Sequence, residues 1–492
     1  MTHRSPDAEA EEISCFTLRS ANSPSPAPAL GPHQGRITGQ SGKCDDGLVT
    51  ENSASPAVTG EDEVAAICSD LIRIDTSNRG DHSGPGERGA AEHVAALLAE
   101  VGLEPTILES HPGRASVVTR ITGEDSDRPA LLIHGHLDVV PADPADWAVH
   151  PFSGDITADD LTGPQVWGRG AVDMKDMDAM ILAVVRQRMR EGRRPPRDVV
   201  LAFLADEEAG GVWGARWLTD NYPGLFEDVT EAIGEVGGFS ATLGGQRLYL
   251  VQTAEKGMAW LRLTLRGAAG HGSMRHPHNV VTELAETVAR IGRHEWPTRL
   301  SPAAQEFLEA ASDALGLEPG AEPRQVLGKL GPLARMIGAT VSNTANPTIL
   351  NAGYKVNVIP GVATADVDGR FVPGYGDEFL AEIDSLLGTG VQREFIHHDI
   401  AVETEFDGPL SDAMTNAILA ADPTAKVVPY CLSGGTDAKS FSRLGIRCFG
   451  FAPLRLPSEL DFFGMFHGVD ERVPVDALKF GVRVLNDFLD HC

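Results

Sequence analysis

The chain has 492 residues, enough for more than one domain. Its 41 basic residues stand against 70 acidic ones, and the formal charge of -29 would repel nucleic acid and anionic membrane surfaces, so neither is expected as a partner. Hydrophobic residues are 42% and charged ones 23%, a globular balance, and no apolar run approaches the ~18 residues of a membrane span. The cysteines (Cys15, Cys44, Cys68, Cys431, Cys448, Cys492) form no C-x-x-C pair and suggest neither a disulfide framework nor a cysteine zinc site. The N-terminus lacks the apolar core of a secretory signal, so a reducing cytoplasm is the expected location.

Residues 1 to 58 are rich in Ser, Pro, Gly and Ala without periodicity and read as a disordered extension. A helix is predicted from Thr59, with Asp62 three residues on and Val64, Ile67, Cys68, Leu71 and Ile72 at helical spacing. A second, "ERGAAEHVAALLAEVG", carries Val94, Leu97, Leu98 and Val101 on one face and stops at Gly102. Short apolar runs ("ASVVTRI", "ALLI", "DVVLAFLA", "EAIGEVGG") then alternate with helical stretches such as "MDAMILAVVRQRMR". This predicts an α/β fold with a mostly parallel sheet flanked by helices, in which ligands bind beyond the carboxyl ends of the strands.

From about Lys256 the rhythm changes: strand "AWLRLTLRG", helix "NVVTELAETVARIG", strand-like "YKVNVIPG" and "ATADVDGRFVPG", helix "DEFLAEIDSLLG", strand-like "AVETEF". That β-α-β-β-α-β order predicts a ferredoxin-like α+β domain inserted into the first. The α/β pattern returns near Gly408 and closes with "VDALKFGVRVLNDFL". The expected boundaries are 59–254 and 407–492 for the two parts of one domain and 255–406 for the insert.

Five places put metal-type ligands beside apolar stretches. "ALLIHGHLDVVP" ends a buried strand in His136 and Asp138; residues i and i+2 of extended chain share a side, so Asp138 could orient the His136 ring. "VWGRGAVDMK" lacks a third glycine for a dinucleotide loop and holds Asp173, which alone would read as a helix N-cap. "LAFLADEEAGG" supplies adjacent Glu207 and Glu208, so one can bind a cation while the other reaches a water; by themselves they could simply begin a helix. Glu235 follows "AIG", and alone would read as a surface residue. His467 in "FGMFHGVDERV" has Asp470 and Glu471 nearby, which could stabilise an imidazole or be solvated. Jointly, two imidazoles and three carboxylates form an N/O set for two zinc ions, whose +4 meets the -3 of Asp173, Glu208 and Glu235.

These residues resemble the co-catalytic zinc metallopeptidases that include aminoacylase, carboxypeptidase G, acetylornithine deacetylase, succinyl-diaminopimelate desuccinylase and carboxypeptidase S. The resemblance runs from about Glu61 to the C-terminus through "HGHLDVVP", "WGRGAVDMK", "ADEEAGG", "GHGS", "NVIPG", "GRFVPG" and "SGGTDAKSF". It implies a zinc-peptidase-like sheet with a lid and dimerisation insert, and two Zn2+ per subunit, Co2+ or Mn2+ being possible replacements. One ion would be held by His136, Asp173 and Glu235, the other by Asp173, Glu208 and His467, with Asp138 orienting His136. Glu207 would be the general base for a water bridging the ions. His271 would reach a neighbouring subunit's site in a homodimer; Asn357, Arg370, Gly434, Gly435 and Thr436 would contact substrate. The chain departs from the pattern at Asp176 after Lys175, at Pro277, displaced from "GHGS", and at "GEVGG", where Glu231 is the nearest substitute for Glu235. The expected activity is hydrolysis of an amide bond in an N-acyl amino acid or dipeptide with a free carboxylate, as by an aminoacylase, deacetylase, dipeptidase or carboxypeptidase. The rivals are a non-catalytic binder of amino-acid conjugates on the same scaffold and a dimetal phosphoesterase.

Overall fold

A computed structural model describes residues 58–81, 83–159 and 162–492. The predicted extension, with Cys15 and Cys44, lies outside them apart from residue 58.

Among the described residues the large sheet has ten strands. Its main path runs Thr106–His111, Arg114–Ile121, Val199–Leu204, Ala130–His136, Val229–Gly234, Arg447–Gly450, Gln246–Glu255 and Val402–Glu403, with Phe239–Leu243 and Lys426–Leu432 also paired to Gln246–Glu255. The centre is parallel: Ile133 lies opposite Leu201 on one side and Ile233 on the other. One edge is antiparallel, beginning with the hairpin of the first two strands, whereas Lys426–Leu432 runs parallel to Gln246–Glu255.

Period-two alternation explains the helices on both faces. Leu131, Ile133, Leu201 and Phe203 join one apolar cluster, while Ala130, Leu132, Val200, Ala202 and Leu204 join another. The first cluster takes the helices Gly60–Arg73, Arg88–Ala99, Lys175–Glu191 and Val475–His491; the second takes Ala215–Asn221 and Ala438–Ser442. The first helix starts as predicted, with the Asp62 carboxylate accepting from Thr59 N at 2.9 Å, and Val64, Ile67, Cys68, Leu71 and Ile72 are all buried. Gly102, at φ +84°, turns the chain after the second.

The second layer is a four-stranded antiparallel sheet in the order Thr344–Ala352, Val362–Phe371, Gly257–Arg266, Gln392–Asp399. Helices Val280–Gly292 and Gly376–Leu386 cover one face through Leu261, Leu263, Leu284, Phe379 and Ile383. The β-α-β-β-α-β order is present, but two strands sit elsewhere than predicted. "YKVNVIPG" contributes only Val358–Ile359, paired with Gly270–His271, and the strand beside Val362–Phe371 lies earlier, at Thr344–Ala352. "AVETEF" contributes only Val402–Glu403, which joins the large sheet, while Gln392–Asp399 closes the small one. Between the layers' strands, Phe307, Leu308, Ala311 and Val326 pack in the same cluster as Tyr249 and Tyr430 of the large sheet.

Candidate metal centre and reaction cavity

Because Val199–Leu204, Ala130–His136 and Val229–Gly234 are parallel neighbours, their carboxyl ends deliver Glu207 and Glu208, His136, and Glu235 to one edge of the sheet. The His136 Nε2 atom lies 3.1 Å from Asp173 Oδ1 and 3.3 Å from Glu235 Oε2. The His467 Nε2 atom lies 3.2 Å from Asp173 Oδ2 and 3.0 Å from Glu208 Oε2. Asp173 thus turns one oxygen to each imidazole, and two three-residue groups share it: His136, Asp173, Glu235 and Asp173, Glu208, His467. Glu207 Oε2 stands 3.9 Å from His136 Nε2.

Asp138 acts differently from the sequence expectation. His136 Nδ1 is 2.9 Å from its main-chain carbonyl and 3.7 Å from its carboxylate. A carbonyl only accepts, so in the neutral ring Nδ1 carries the proton and Nε2 presents its lone pair to the carboxylate cluster. The Asp138 carboxylate instead accepts from Glu207 N and Glu208 N, both at 3.1 Å, and from Asn78 Nδ2 at 2.9 Å. It therefore fixes the turn that aims the two glutamates. Asp206, at φ +68°, enters that turn and accepts from Trp213 N at 2.9 Å.

Glu471 is not solvated and does not touch an imidazole. Fully buried, it accepts from Val172 N at 2.7 Å, Asp173 N at 3.1 Å and Arg169 Nη1 at 2.6 Å, while Arg169 Nη2 donates to Gly468 O at 2.8 Å. One ion pair therefore clasps the Asp173 loop to the His467 loop. Nor is Asp173 a helix cap: the helix begins at Lys175 after Met174. Glu231 is engaged by Arg197 Nη2 at 2.8 Å, away from the cluster.

The electrostatics of the cluster ask for cations. Burial, then the charge of Glu235, push the Glu207 carboxyl well up, against the pull of His136. Burial pushes Glu235 up to about 7, again against His136. Burial opposes charge on His136, yet Glu235 and the Asp173 hydrogen bond hold its pKa well above the ordinary value. His467 is raised to about 10 by its hydrogen bonds to Asp173 and Glu208. Burial would raise Asp173, but the two imidazoles hold it below the usual carboxylate range. Glu208 Oε1 is buried with no hydrogen-bond partner. Converging carboxylates, lone-pair nitrogens and an orphaned buried oxygen fit a pair of divalent cations.

Beside the cluster lies a cavity of ≈ 240 Å³ lined by Glu207, Glu208, His467, Gly434, Gly435, Thr436, Asp437 and Lys439, and by Met258, Trp260, Arg370, His397 and Asp399 of the small sheet. Arg370 is tied to Asp368, Nε to Oδ1 at 2.7 Å. Thr436 is a correction: its N–H donates to Glu255 Oε2 at 3.1 Å and its hydroxyl to Oε1 at 2.5 Å, so this residue secures buried Glu255 and has no N–H left for a ligand. His271 and Asn357 do not line the cavity; both are exposed, His271 on the strand Gly270–His271 and Asn357 in the turn before Val358–Ile359, where Gly272 N donates to Asn357 O at 2.9 Å. Sequence reasoning missed Asn78, Arg169, Trp260, His397, Asp399 and Lys439. Trp260 left one signal, a large aromatic on the outward side of an alternating strand.

A parallel-centred α/β sheet with dimetal-type ligands at its carboxyl edge defines a metallopeptidase-type hydrolase. The sequence profile of peptidase family M20/M25/M40 matches residues 132–491, and the chain belongs to that family. It is 26% identical over 421 residues to "N-fatty-acyl-amino acid synthase/hydrolase PM20D1" of Xenopus tropicalis, covering 80% of this chain and 79% of that one. It is 26% identical over 445 residues to aminoacylase-1 of Sus scrofa, covering 89% and 97%. Among solved structures, the M20 family metallo-carboxypeptidase Sso-CP2 of Sulfolobus solfataricus superposes with a TM-score of 0.67 at 19% identity, covering 87% of this chain and 99% of that one, a likeness of fold. Among the described residues no helix is long and apolar enough to cross a membrane, and Cys68, Cys431, Cys448 and Cys492 are free and buried.

Proposed function

We propose that the protein is a dizinc amidohydrolase that cleaves an N-acyl amino acid or dipeptide bearing a free carboxylate. The observation that carries this reading is the sharing of Asp173 between two ligand triads beside Glu207, in a cavity that also holds Arg370. His136, Asp173 and Glu235 would hold one ion and Asp173, Glu208 and His467 the other. Bound there, the ions would polarise the scissile carbonyl and acidify a shared water.

Around that chemistry the chain's residues have separate tasks. Arg370 binds the substrate carboxylate, and Gly434 and Gly435, having no side chains, leave room beside it. Glu207 takes a proton from the attacking water onto its carboxylate and delivers it to the departing amine nitrogen. Aminoacylase-1 and the fatty-acyl-amino acid hydrolase among the relatives support this substrate class. No observation favours a non-catalytic binder.

Two finer proposals accompany it. The free buried thiols suit a reducing cytoplasm. A homodimer through the insert is supported by the edge strand Thr344–Ala352 and its surroundings, where Ile349, Leu350, Tyr354 and Val356 are all exposed. In that dimer His271 serves the partner's site, donating to the oxyanion.

Glu207→Gln tests the assignment. Turnover of N-acetyl amino acids should fall at least about 100-fold while metal content, read by elemental analysis, stays at the wild-type value. Undiminished turnover would remove Glu207 from its role.

A further inference from the structure

We propose that Trp260 forms the wall of a subsite for the amine half of the substrate, so that the protein selects N-acyl amino acids with an aromatic or large aliphatic side chain. The inference rests on the amidohydrolase reading above and adds the identity of the released amino acid.

The open face of the small sheet presents two rows to the cavity. Met258 pairs across the strands with Arg370 and Asp399; two residues along, on the same face, Trp260 pairs with Asp368 and His397. Asp368 holds the indole and the guanidinium in one frame. Its Oδ1 accepts from Trp260 Nε1 at 3.1 Å and from Arg370 Nε at 2.7 Å, and its Oδ2 accepts from Arg370 Nη2 at 3.3 Å. Among the described residues, Arg370 Nη1 takes no protein acceptor. The His397 ring packs against the indole at 5.6 Å between centroids.

Anchored in this way, Trp260 still leaves 38% of its surface exposed. A tryptophan fixed by its polar atom and still part-exposed offers apolar surface for a ligand to cover. Neighbouring rows of a strand lie roughly 7 Å apart, the span of one amino acid from carboxylate to side-chain tip. A carboxylate on Arg370 therefore brings its own side chain to the indole. Beside Trp260 a second cavity of ≈ 260 Å³, lined also by Thr348, Ile349, Asp366, Val367, Asp368 and Ile396, leaves room for a bulky group.

The carboxylates beside the indole are already engaged. Asp368 is engaged by Arg370, Asp399 by Arg443, and Lys439 donates to Lys256 O at 2.7 Å. The carboxylates flanking the indole are held in ion pairs and do not draw a basic side chain, and their charge disfavours an acidic one, so shape and apolar contact decide beside it.

Steady-state kinetics of the metal-loaded protein on N-acetyl-L-phenylalanine, N-acetyl-L-leucine and N-acetylglycine test this, with calorimetric binding of the same ligands to a Glu207→Gln background. Wild type should prefer phenylalanine over glycine by at least about 10-fold. Trp260→Ala should lower kcat/KM for phenylalanine and leucine by about 10- to 100-fold more than for glycine, chiefly through KM; Trp260→Phe should restore most of that difference. An equal loss on all three ligands, or no wild-type preference in either kinetics or binding, would overturn the subsite. A Trp260-dependent binding preference without hydrolysis by wild type would keep the subsite and remove the hydrolase reading.

Discussion

Asp173 faces two imidazoles, and in the metal-free chain the carboxylates around each ring favour its protonated form. His467 holds its proton up to about 10 because Asp173 and Glu208 hydrogen-bond to it, and His136 is raised through Glu235 and Asp173. A cation needs both Nε2 lone pairs, so loading must expel protons. The sign follows: a proton bound in the free state and absent in the loaded state makes affinity rise with pH. The rise should continue through the neutral range until His467 titrates on its own. Calorimetric zinc titration in buffers of differing ionisation enthalpy should show net proton release, with tighter binding at pH 8 than at pH 6. Proton uptake on loading would contradict this account of the imidazoles.

The elements that carry these residues are held by contacts remote in sequence. Arg169 and Glu471 are 302 positions apart, and their buried pair joins the loop of Asp173 to the loop of His467. Removing one partner leaves an uncompensated charge in the interior, so Arg169→Met should cost about 3–5 kcal/mol in denaturant unfolding. Metal affinity should fall by about 10- to 100-fold, as when a group that orients a ligand is lost. Unchanged unfolding and unchanged zinc affinity would mean that the loops hold their places without the clasp. The ligands themselves were legible because apolar runs such as "ALLI" and "LAFLA" stop abruptly in charge, and a buried strand does not end so without a use for it. The clasp was not, since nothing local to "GRG" or "DER" reports a partner three hundred residues away. The strand Gln392–Asp399 escaped notice for a related reason: "QREFIHHD" is largely exposed and lacks the alternation by which a half-buried strand is read, whereas "AVETEF" shows it over a stretch that pairs for only two residues. Thr436 was misassigned because a buried partner, Glu255, takes the N–H that its glycine-rich setting seemed to offer.

At the scale of the whole molecule, the cavity is built from both layers: the large sheet supplies the cluster and the small sheet supplies Arg370 and Trp260. A dimer would add a third contributor, His271. Chains carrying His271→Ala and chains carrying Glu207→Gln should each be inactive alone. Unfolded together and reassembled, half the dimers would be mixed and each would own one complete site, returning about a quarter of wild-type turnover. No recovery, together with a monomeric sedimentation profile, would remove both the dimer and the role of His271. The central claim lies closer to the chemistry: two divalent cations meet on one shared carboxylate. Elemental analysis of zinc-loaded protein, wild type against Asp173→Ala, tests it most directly. Two ions per chain should fall below one in the variant because both sites lose a ligand; an Asp173→Ala protein that still holds two ions, or a wild type that holds none, would contradict it.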